Sequence, residues 1–334
     1  MTAAPATAGR DKVDTIRTVL GDIPMERLGR CDYHEHLFQV SPLLVGDELD
    51  DEQASTQEAE SLRQAGIDAF VDATPTGLGR NPGAVARISQ STGIAVVHVS
   101  GAHHQGHYGS MHWLLEADEN DLVNRFLADV RDGLPAEDGP SRGDPAVGPS
   151  GHPVRAGMLK AGIGYWRISP FERRALAAVT AAARLSDVAV MVHLEHGSAT
   201  WELLDILARG GLTPDRVVLA HIDRNLDPGL HAELTMAGAY LGYDGMARHR
   251  EAPDASIIDC LERVVATGDA SRLVLGGDVA RRTRYLAYGG MPGLEYLPRR
   301  FLPRLRDRVG SDVVDQLLID NPARLLTQRA AQPG

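Results

Sequence analysis

Six side chains that can bind metal ions are spread along the 334-residue sequence, each within or just after a short apolar run. They are His34, His36, Lys160, His193, His221 and Asp278. Imidazole suits zinc and its first-row neighbours, and carboxylate oxygens can complete the ligand set. His34 and His36 lie two residues apart in an extended segment, so both side chains point the same way and can reach one ion. The combination predicts a metal site.

Lys160 differs from the other five because it lies in an otherwise apolar strand. A buried, unpaired ammonium costs several kcal/mol or gives up its proton. Three interpretations follow: a lysine that reaches the surface, a Schiff-base nucleophile with a lowered pKa, or a lysine carboxylated by carbon dioxide that bridges two metal ions. The surrounding histidines favour the third, since the ions that they bind would repel a cationic lysine.

Asp278 could bind a metal ion, transfer protons or cap the helix that follows it. In a two-metal site it would combine the first two roles, holding the bridging hydroxide, accepting its proton on attack and passing that proton to the leaving group. Two ions would also polarise the scissile carbonyl or phosphoryl oxygen. We therefore predict hydrolysis, with Asp278 and Lys160 as the catalytic residues.

Eight short apolar runs alternate with segments of helical period. The candidate strands are Leu28–Tyr33, Ile67–Ala73, Ile94–Ser100, Gly157–Ala161, Val188–Val192, Arg216–Ala220, Ala239–Tyr243 and Arg272–Gly277. Strict alternation predicts a parallel sheet, and eight β/α units predict a (β/α)8 TIM barrel. The six metal-capable residues lie at or near the C-terminal strand ends, where barrel enzymes place their chemistry. We therefore expect a binuclear metal centre on that face.

One barrel domain is expected over residues 1–334, because α/β barrels routinely exceed 250 residues as one unit. The stretch from Gly133 to Pro153 is rich in Gly, Pro and Asp and has little periodicity. It predicts a loop insertion at about 133–153, on the surface at the bottom of the barrel. One helix start is well marked, since Ser169 and Glu172 match a capping box.

Four segments resemble the phosphotriesterase-like branch of the amidohydrolase superfamily. They are Ile16–Pro24 with His34–Leu37, Asp72–Arg80, Ala156–Lys160 and Asn321–Leu326. The last two resemble the segment that carries the family's carboxylated lysine and the start of its C-terminal helix. The similarity extends over nearly the whole chain.

This resemblance implies a ligand set and a cofactor. The more buried ion would be held by His34, His36 and Asp278, and the more exposed ion by His193 and His221, with the carboxylated lysine between them. The family implies zinc most often, with manganese, cobalt or nickel able to substitute, and a homodimer. One departure is His196, an additional histidine three residues after a predicted ligand, which we expect to lie outside the ligand set.

The loops that follow the strands should touch the substrate. We expect contacts from Tyr108, Tyr243, Arg248 and Arg281, of which Arg281 could clamp a phosphate or carboxylate. The alternative for this arginine is an ion pair with an acidic residue of the rim. The region resembles family members that handle small polar metabolites, which favours an acid-bearing or phosphorylated sugar lactone as substrate.

Composition limits the partners. Acidic residues outnumber basic ones by 45 to 34, a net charge of -11, which disfavours nucleic acid and anionic membranes as partners. Met1 to Arg10 has no apolar core of a signal peptide. The two cysteines, Cys31 and Cys260, do not form a disulfide framework. We expect a cytoplasmic enzyme that acts on a small molecule.

The predicted function is hydrolysis of a lactone or carboxylic ester by a metal-bridging hydroxide, with phosphotriesterase side activity. An N-acyl amide hydrolase on the same site is the alternative. A lyase that uses a Schiff base at Lys160, without metals, is a different class, which chelator sensitivity would count against. A non-catalytic metal-binding barrel is a third class, and no repeat surface or peptide groove in the sequence supports it.

Overall fold

The computed structural model describes residues 14–328, which begin with an antiparallel hairpin. Strands β1 (Thr15–Thr18) and β2 (Gly21–Pro24) pair with each other, and β1 also pairs with β11 (Thr327–Gln328). This three-stranded sheet joins the two ends of the described chain. The segment Met1–Arg10, for which the sequence predicts no signal peptide, lies outside the described residues.

Eight further strands form one parallel sheet in chain order. They are β3 (Cys31–Glu35), β4 (Ala69–Asp72), β5 (Ala95–Gly101), β6 (Met158–Ile163), β7 (Val190–Leu194), β8 (Val217–Ala220), β9 (Tyr240–Tyr243) and β10 (Leu273–Leu275). All eight predicted strands are present, with ends shifted by a few residues. Helices lie between successive strands, and the (β/α)8 barrel predicted from the sequence is confirmed.

A helix lies between each pair of successive barrel strands, as the alternating pattern predicts, and further helices follow β10. They are α1 (Glu52–Gln64), α2 (Pro82–Thr92), α3 (Glu119–Arg131), α4 (Pro170–Ser186), α5 (Thr200–Arg209), α6 (Pro228–Met236), α7 (Asp254–Thr267), α8 (Leu302–Val309), α9 (Ser311–Asp315) and α10 (Asn321–Leu326). The predicted capping box starts α4, with Ser169 Oγ accepting from Glu172 N at 3.2 Å. No helix within residues 14–328 is long and apolar enough to cross a membrane.

The barrel closes where its first strand β3 meets its last strand β10, and we call this junction the seam. Side-chain carboxylates form hydrogen bonds across it. Asp32 Oδ1 accepts hydrogen bonds from His34 N at 3.0 Å and from Gly277 N at 3.3 Å. Glu35 Oε2 accepts from Val279 N at 3.0 Å. The first and last barrel strands are therefore linked partly by side chains, and polar residues are buried where most barrel strands carry aliphatic ones.

An apolar layer fills the barrel below the metal-capable residues. It comprises buried side chains from strands all around the barrel, including Cys31, Tyr33, Val71, Val97, Met158, Met191, Val218 and Val274. Ile16 of β1 and Leu28 belong to the same cluster. The hairpin thus packs onto the barrel floor, and the polar centre above it rests on a close-packed base.

The segment Gly133–Pro153 packs along the outside of the barrel. Gly148 lies near Val19 of the N-terminal hairpin, where a Cβ added to the glycine would be 3.6 Å from the Val19 carbonyl oxygen. Asp138 reaches towards the opposite end of the barrel and accepts hydrogen bonds from Arg80 Nε at 2.9 Å and Nη2 at 2.8 Å. The loop therefore extends beyond the bottom position expected from the sequence.

Candidate metal centre

The six metal-capable residues of the sequence meet at the C-terminal end of the barrel strands. All six line one cavity of about 430 Å³. Asp278 Oδ1 lies 3.7 Å from His34 Nε2 and 3.5 Å from His36 Nε2. Lys160 Nζ lies 3.3 Å from the same His34 nitrogen. The rings of His193 and His221 have centroids 4.6 Å apart.

Two of the histidines are oriented by one carboxylate. Asp244 accepts at Oδ1 from His221 Nδ1 at 2.6 Å and at Oδ2 from His34 Nδ1 at 3.2 Å. The same Oδ2 accepts a hydrogen bond from the Tyr33 hydroxyl. A histidine that donates one ring N–H to a carboxylate keeps the other ring nitrogen as a ligand. This geometry leaves Nε2 of both histidines available.

The other two histidines are held in an equivalent way. His36 Nδ1 lies 2.7 Å from Thr74 Oγ1, and His193 Nε2 lies 3.1 Å from Glu195 Oε2. His193 Nδ1 is buried and has no hydrogen-bond partner within the described chain. A buried ring nitrogen without a partner costs free energy unless a ligand occupies it. The residues therefore fit a pair of divalent metal ions.

Burial sets the charge of these groups. It lowers the pKa of His36 to about 3 and that of His221 to about 4, so both imidazoles are neutral near pH 7, the state that binds metal. Burial also lowers the pKa of Lys160 to about 8. Burial alone would raise the pKa of Asp278, but Arg248 and His34 hold it well below its ordinary value. Asp278 is therefore an anion.

Two of the candidate ligands have a left-handed backbone. His221 follows β8 with φ 62°, and Asp278 follows β10 with φ 42°. Non-glycine residues rarely adopt this conformation, and holding one there costs roughly 1–3 kcal/mol. Such strain is concentrated where the surrounding structure fixes a functional side chain. Here both residues with this backbone conformation place their side chains in the cavity lining.

Three arginines line the cavity of this acidic protein. Arg248 donates to the Asp278 carboxylate, and Arg224 Nη2 lies 3.4 Å from Asp278 Oδ2. Arg281 is further out, with its side chain 47% exposed and its Nη1 3.6 Å from Asp47. Arg248 and Arg281 thus face the cavity as expected, and Arg281 also has the rim ion pair that the sequence left as an alternative.

The two tyrosines expected at the substrate lie elsewhere. Tyr108 is buried, donates to Thr76 O at 3.0 Å and accepts from His103 N at 2.9 Å. Tyr243 is fully buried and its hydroxyl lies 2.5 Å from His231 Nδ1, on the helix side of the barrel. Neither belongs to the residues that line the cavity. Their hydroxyls have structural partners, so they do not face a bound substrate.

Histidines of the β5 loop also line the cavity. The His103 and His104 rings lie 4.4 Å and 5.1 Å from that of His193, measured between centroids. Nδ1 of His103 accepts from His104 N, and Nδ1 of His104 accepts from Gly106 N. In a neutral ring this pattern leaves the proton on Nε2. Both rings therefore carry a hydrogen-bond donor at Nε2, and both belong to the cavity lining.

Several residues of the site were missed by sequence reasoning: Thr74, Glu195, Arg224 and, as an orienting group, Asp244. Asp244 and Glu195 directly follow β9 and β7, and Thr74 is the second residue after β4. Their position after strand ends could have identified them. His196, by contrast, has its side chain 57% exposed and lies outside the candidate ligand set, as the sequence indicates.

Comparisons with known proteins agree with this architecture. A phospho-furanose lactonase from Mycoplasmopsis synoviae is 28% identical over 325 residues, covering 93% of this chain and 91% of that protein. An N-acetyltaurine hydrolase from Danio rerio is 26% identical and covers 93% of this chain and 97% of that protein. The crystal structure of a lactonase from Listeria monocytogenes superposes with a TM-score of 0.84 at 29% identity, covering 95% of this chain and 100% of that one.

The family model described as the phosphotriesterase family matches residues 14–326, nearly the whole chain. The match includes every residue of the centre described above. The protein therefore belongs to the phosphotriesterase family, a family of metal-dependent hydrolases.

Proposed function

We propose that this enzyme hydrolyses the lactone of a small sugar that carries a phosphate or carboxylate. The observation that carries the proposal is the cavity itself, in which four neutral imidazoles and one aspartate converge beside three arginines. Two similar proteins are named lactonases, one of them for phospho-furanose lactones. A hydrolytic centre next to guanidinium groups suits a substrate that is both an ester and an anion.

Two metal ions fit the donor set, and we propose zinc as the native metal. His34, His36 and Asp278 would hold the more buried ion, and His193 and His221 the more exposed one. Two such ions, when bound, polarise the carbonyl oxygen and bring the pKa of a water molecule towards neutrality. Manganese, cobalt or nickel could replace zinc, since the same ligands accept them.

We propose that Lys160 is carboxylated and lies between the two ions. Its Nζ is buried, donates to Ala73 O at 2.8 Å and contacts His34, and no carboxylate within residues 14–328 forms an ion pair with it. Carboxylation joins Nζ to the carbon of carbon dioxide and releases one proton, which converts a buried amine into an anion. That charge would balance the ions that the neighbouring histidines bind.

Asp278 would then move the proton. Its carboxylate accepts the proton lost by the attacking water and returns it to the ring oxygen of the lactone as the C–O bond breaks. Arg248 and Arg224 keep this carboxylate ionised and fix its orientation. Arg281 and Arg248 would bind the phosphate or carboxylate of the substrate, and the imidazole donors of the β5 loop would bind its hydroxyl oxygens.

Hydrolysis of an N-acyl amide is the second candidate, because the similar Danio rerio protein is named an N-acetyltaurine hydrolase. The same cavity could take an acidic amide, and Asp278 would have to protonate an amine leaving group. A Schiff-base lyase fits less well, since Lys160 Nζ lies among groups oriented as metal ligands. We further propose that the enzyme is cytoplasmic and works as a homodimer. Light scattering of the purified protein tests the dimer.

The experiment that tests the function is acid release, followed with a pH indicator. Protein loaded with zinc or manganese is mixed with phosphorylated and plain lactones, carboxylic esters and phosphotriesters, each with and without a chelator. We expect chelator-sensitive turnover of phosphorylated sugar lactones, with weaker phosphotriester hydrolysis. If every ester is left intact by protein with confirmed metal content, the lactonase proposal fails, and amine release from N-acyl substrates becomes the next measurement.

A further inference from the structure

A second cavity adjoins the metal centre. It has a volume of about 710 Å³, and its lining includes Tyr165, Trp166, His196 and Asn225. Glu195 and Arg224 line both this cavity and the metal cavity. A group attached to a substrate in the metal cavity can therefore extend past these two residues. We call this space the Trp166 cavity.

Two large aromatic side chains stand exposed at the Trp166 cavity. Tyr165 is 61% exposed and Trp166 is 64% exposed, although aromatic residues of this size are usually buried. They lie in a tight turn after β6, in which Gly164 pairs with Arg167. Both are held in place: Trp166 N donates to Ser198 Oγ at 3.1 Å, and the Tyr165 ring meets that of His196 edge-on.

The backbone around this cavity is strained. Trp166 has φ 47°, His196 has φ 54° and Ala199 has φ 57°. A bulky residue in the left-handed region is an outlier, and such residues are concentrated at ligand sites. Strain that places an exposed tryptophan beside a catalytic cavity needs a reason other than packing, because the indole buries little of its own surface here.

The lining combines aromatic faces with polar groups. Flat aromatic surfaces take the apolar face of a ring, while the Asn225 amide, the Glu195 carboxylate and the Arg224 guanidinium take hydroxyl groups at its edge. A polyhydroxylated ring has both features. A planar hydrocarbon would cover the Asn225 amide without offering it a hydrogen bond, which costs binding free energy.

We propose that the Trp166 cavity binds a second sugar ring, linked to the lactone that occupies the metal centre. This inference rests on the proposed lactonase function and extends it, because it makes the substrate a glycosylated sugar lactone. Trp166 and Tyr165 would contact the face of the second ring, and Glu195 and Arg224 would lie at the linkage between the two rings.

The test measures binding of hydrolysis products, so that it does not depend on turnover. Titration calorimetry of the zinc-loaded enzyme compares gluconate, which has one sugar unit, with lactobionate and maltobionate, which carry an additional ring. We expect the two-unit acids to bind about tenfold more tightly than gluconate. Trp166→Ala and, separately, Tyr165→Ala should abolish this preference and leave gluconate binding unchanged.

The control is Trp201→Ala, because Trp201 is 43% exposed on α5 and lines a different cavity. It should keep the preference. Trp166→Phe should keep most of it, since an aromatic face remains. Thermal melting followed by circular dichroism confirms that each variant is folded, and if Trp166→Ala does not fold, Tyr165→Ala decides the question.

Three results would overturn the inference. The wild-type enzyme could bind one-unit and two-unit acids equally or not at all, Trp166→Ala could weaken both equally, or light scattering could show that this variant dissociates a dimer. A preference for two-unit acids without any lactone hydrolysis would instead remove the lactonase proposal and leave the sugar cavity standing. Hydrolysis of one-unit lactones by an enzyme that does not prefer two-unit acids would remove the sugar cavity and leave the lactonase proposal standing.

Discussion

Asp244 forms hydrogen bonds with two histidines that we propose as ligands of different metal ions, His221 at 2.6 Å and His34 at 3.2 Å. One carboxylate thus orients an imidazole of each proposed ion site. We expect Asp244→Asn to weaken both ions together, because an amide oxygen cannot accept from both rings as two carboxylate oxygens do. The affinity for metal should fall by about 10–100-fold.

Metal content after dialysis against a series of chelator concentrations measures this effect. Thr74→Val is the matched control, since the Thr74 hydroxyl contacts the candidate ligand His36, and its loss should affect the more buried ion alone. Loss of one ion while the second keeps its full affinity in Asp244→Asn would refute the shared role of this carboxylate.

Lys160→Ala should lose the more exposed ion and the hydrolytic activity together, because the variant lacks the group proposed to bridge the ions. Metal analysis and initial rates, compared in the same preparation, test this. Carbon-13 NMR of wild-type enzyme incubated with labelled bicarbonate should show a carbamate signal that the variant lacks. Full activity in Lys160→Ala would rule out the bridging model.

Arg281→Ala should raise the KM for a phosphorylated lactone by about tenfold, or about 1.4 kcal/mol, because one charge-assisted contact to the phosphate is lost. Its kcat and the KM for an uncharged lactone should change little. Arg282→Ala provides the control, since Arg282 lies outside the cavity lining and pairs with Asp50. An equal rise in KM for both substrates would show that Arg281 does not recognise the anion.

In the metal-free protein, Asp32→Asn should become more stable relative to the wild type as the pH rises. Burial raises the pKa of Asp32 from 3.8 to about 8, so between these values the native state binds more protons than the unfolded state. The free energy of unfolding of the wild type therefore falls with pH across this window, by up to about 1.4 kcal/mol per unit. Asparagine keeps the acceptor for His34 N and Gly277 N and removes the proton.

Urea unfolding at about pH 5 and about pH 8, in chelator, gives the comparison. The free energy of unfolding of Asp32→Asn, relative to that of the wild type, should be higher at the higher pH by roughly one to a few kcal/mol. Asp205→Asn, a change at an exposed helix residue, should follow the wild type at both values. A difference that stays constant with pH would contradict the raised pKa.

Asp138→Ala should release the loop formed by Gly133–Pro153. Arg80 is buried and binds this carboxylate through two nitrogens, so the change removes a buried polar link between the loop and the barrel. We expect faster cleavage in the loop by trypsin at Arg142 and a loss of about 1–3 kcal/mol of stability. An unchanged cleavage rate would mean that the remaining contacts of the loop hold it in place without Asp138.

The sequence predicted the barrel well because its strands are continuous apolar runs, which is how strands buried on both faces appear. The hairpin Thr15–Pro24 was missed as a pair of strands, since its strands are short and its third strand lies at Thr327, at the other end of the chain. Such pairing depends on contacts that no local pattern records.

The candidate ligands were predictable because they lie within or just after the C-terminal halves of strands, and these strand ends meet on one face. What the sequence could not provide is the direction of each side chain. Tyr108 and Tyr243 lie in the expected segments, but their rings turn into the packed layers. Which ring nitrogen of His193 is left for a metal ion depends in the same way on the carboxylate of Glu195, and only the folded loop defines the position of that carboxylate.

The seam between β3 and β10 has a consequence for synthesis of the protein. His34 and His36 belong to the first barrel strand, and Asp278 follows the last one. About five-sixths of the chain must therefore leave the ribosome before the three can meet, judged from the position of Asp278 in 334 residues. A nascent chain cannot assemble this candidate ion site early, so the more buried of the two proposed ions would be acquired only by a barrel that is complete or nearly so.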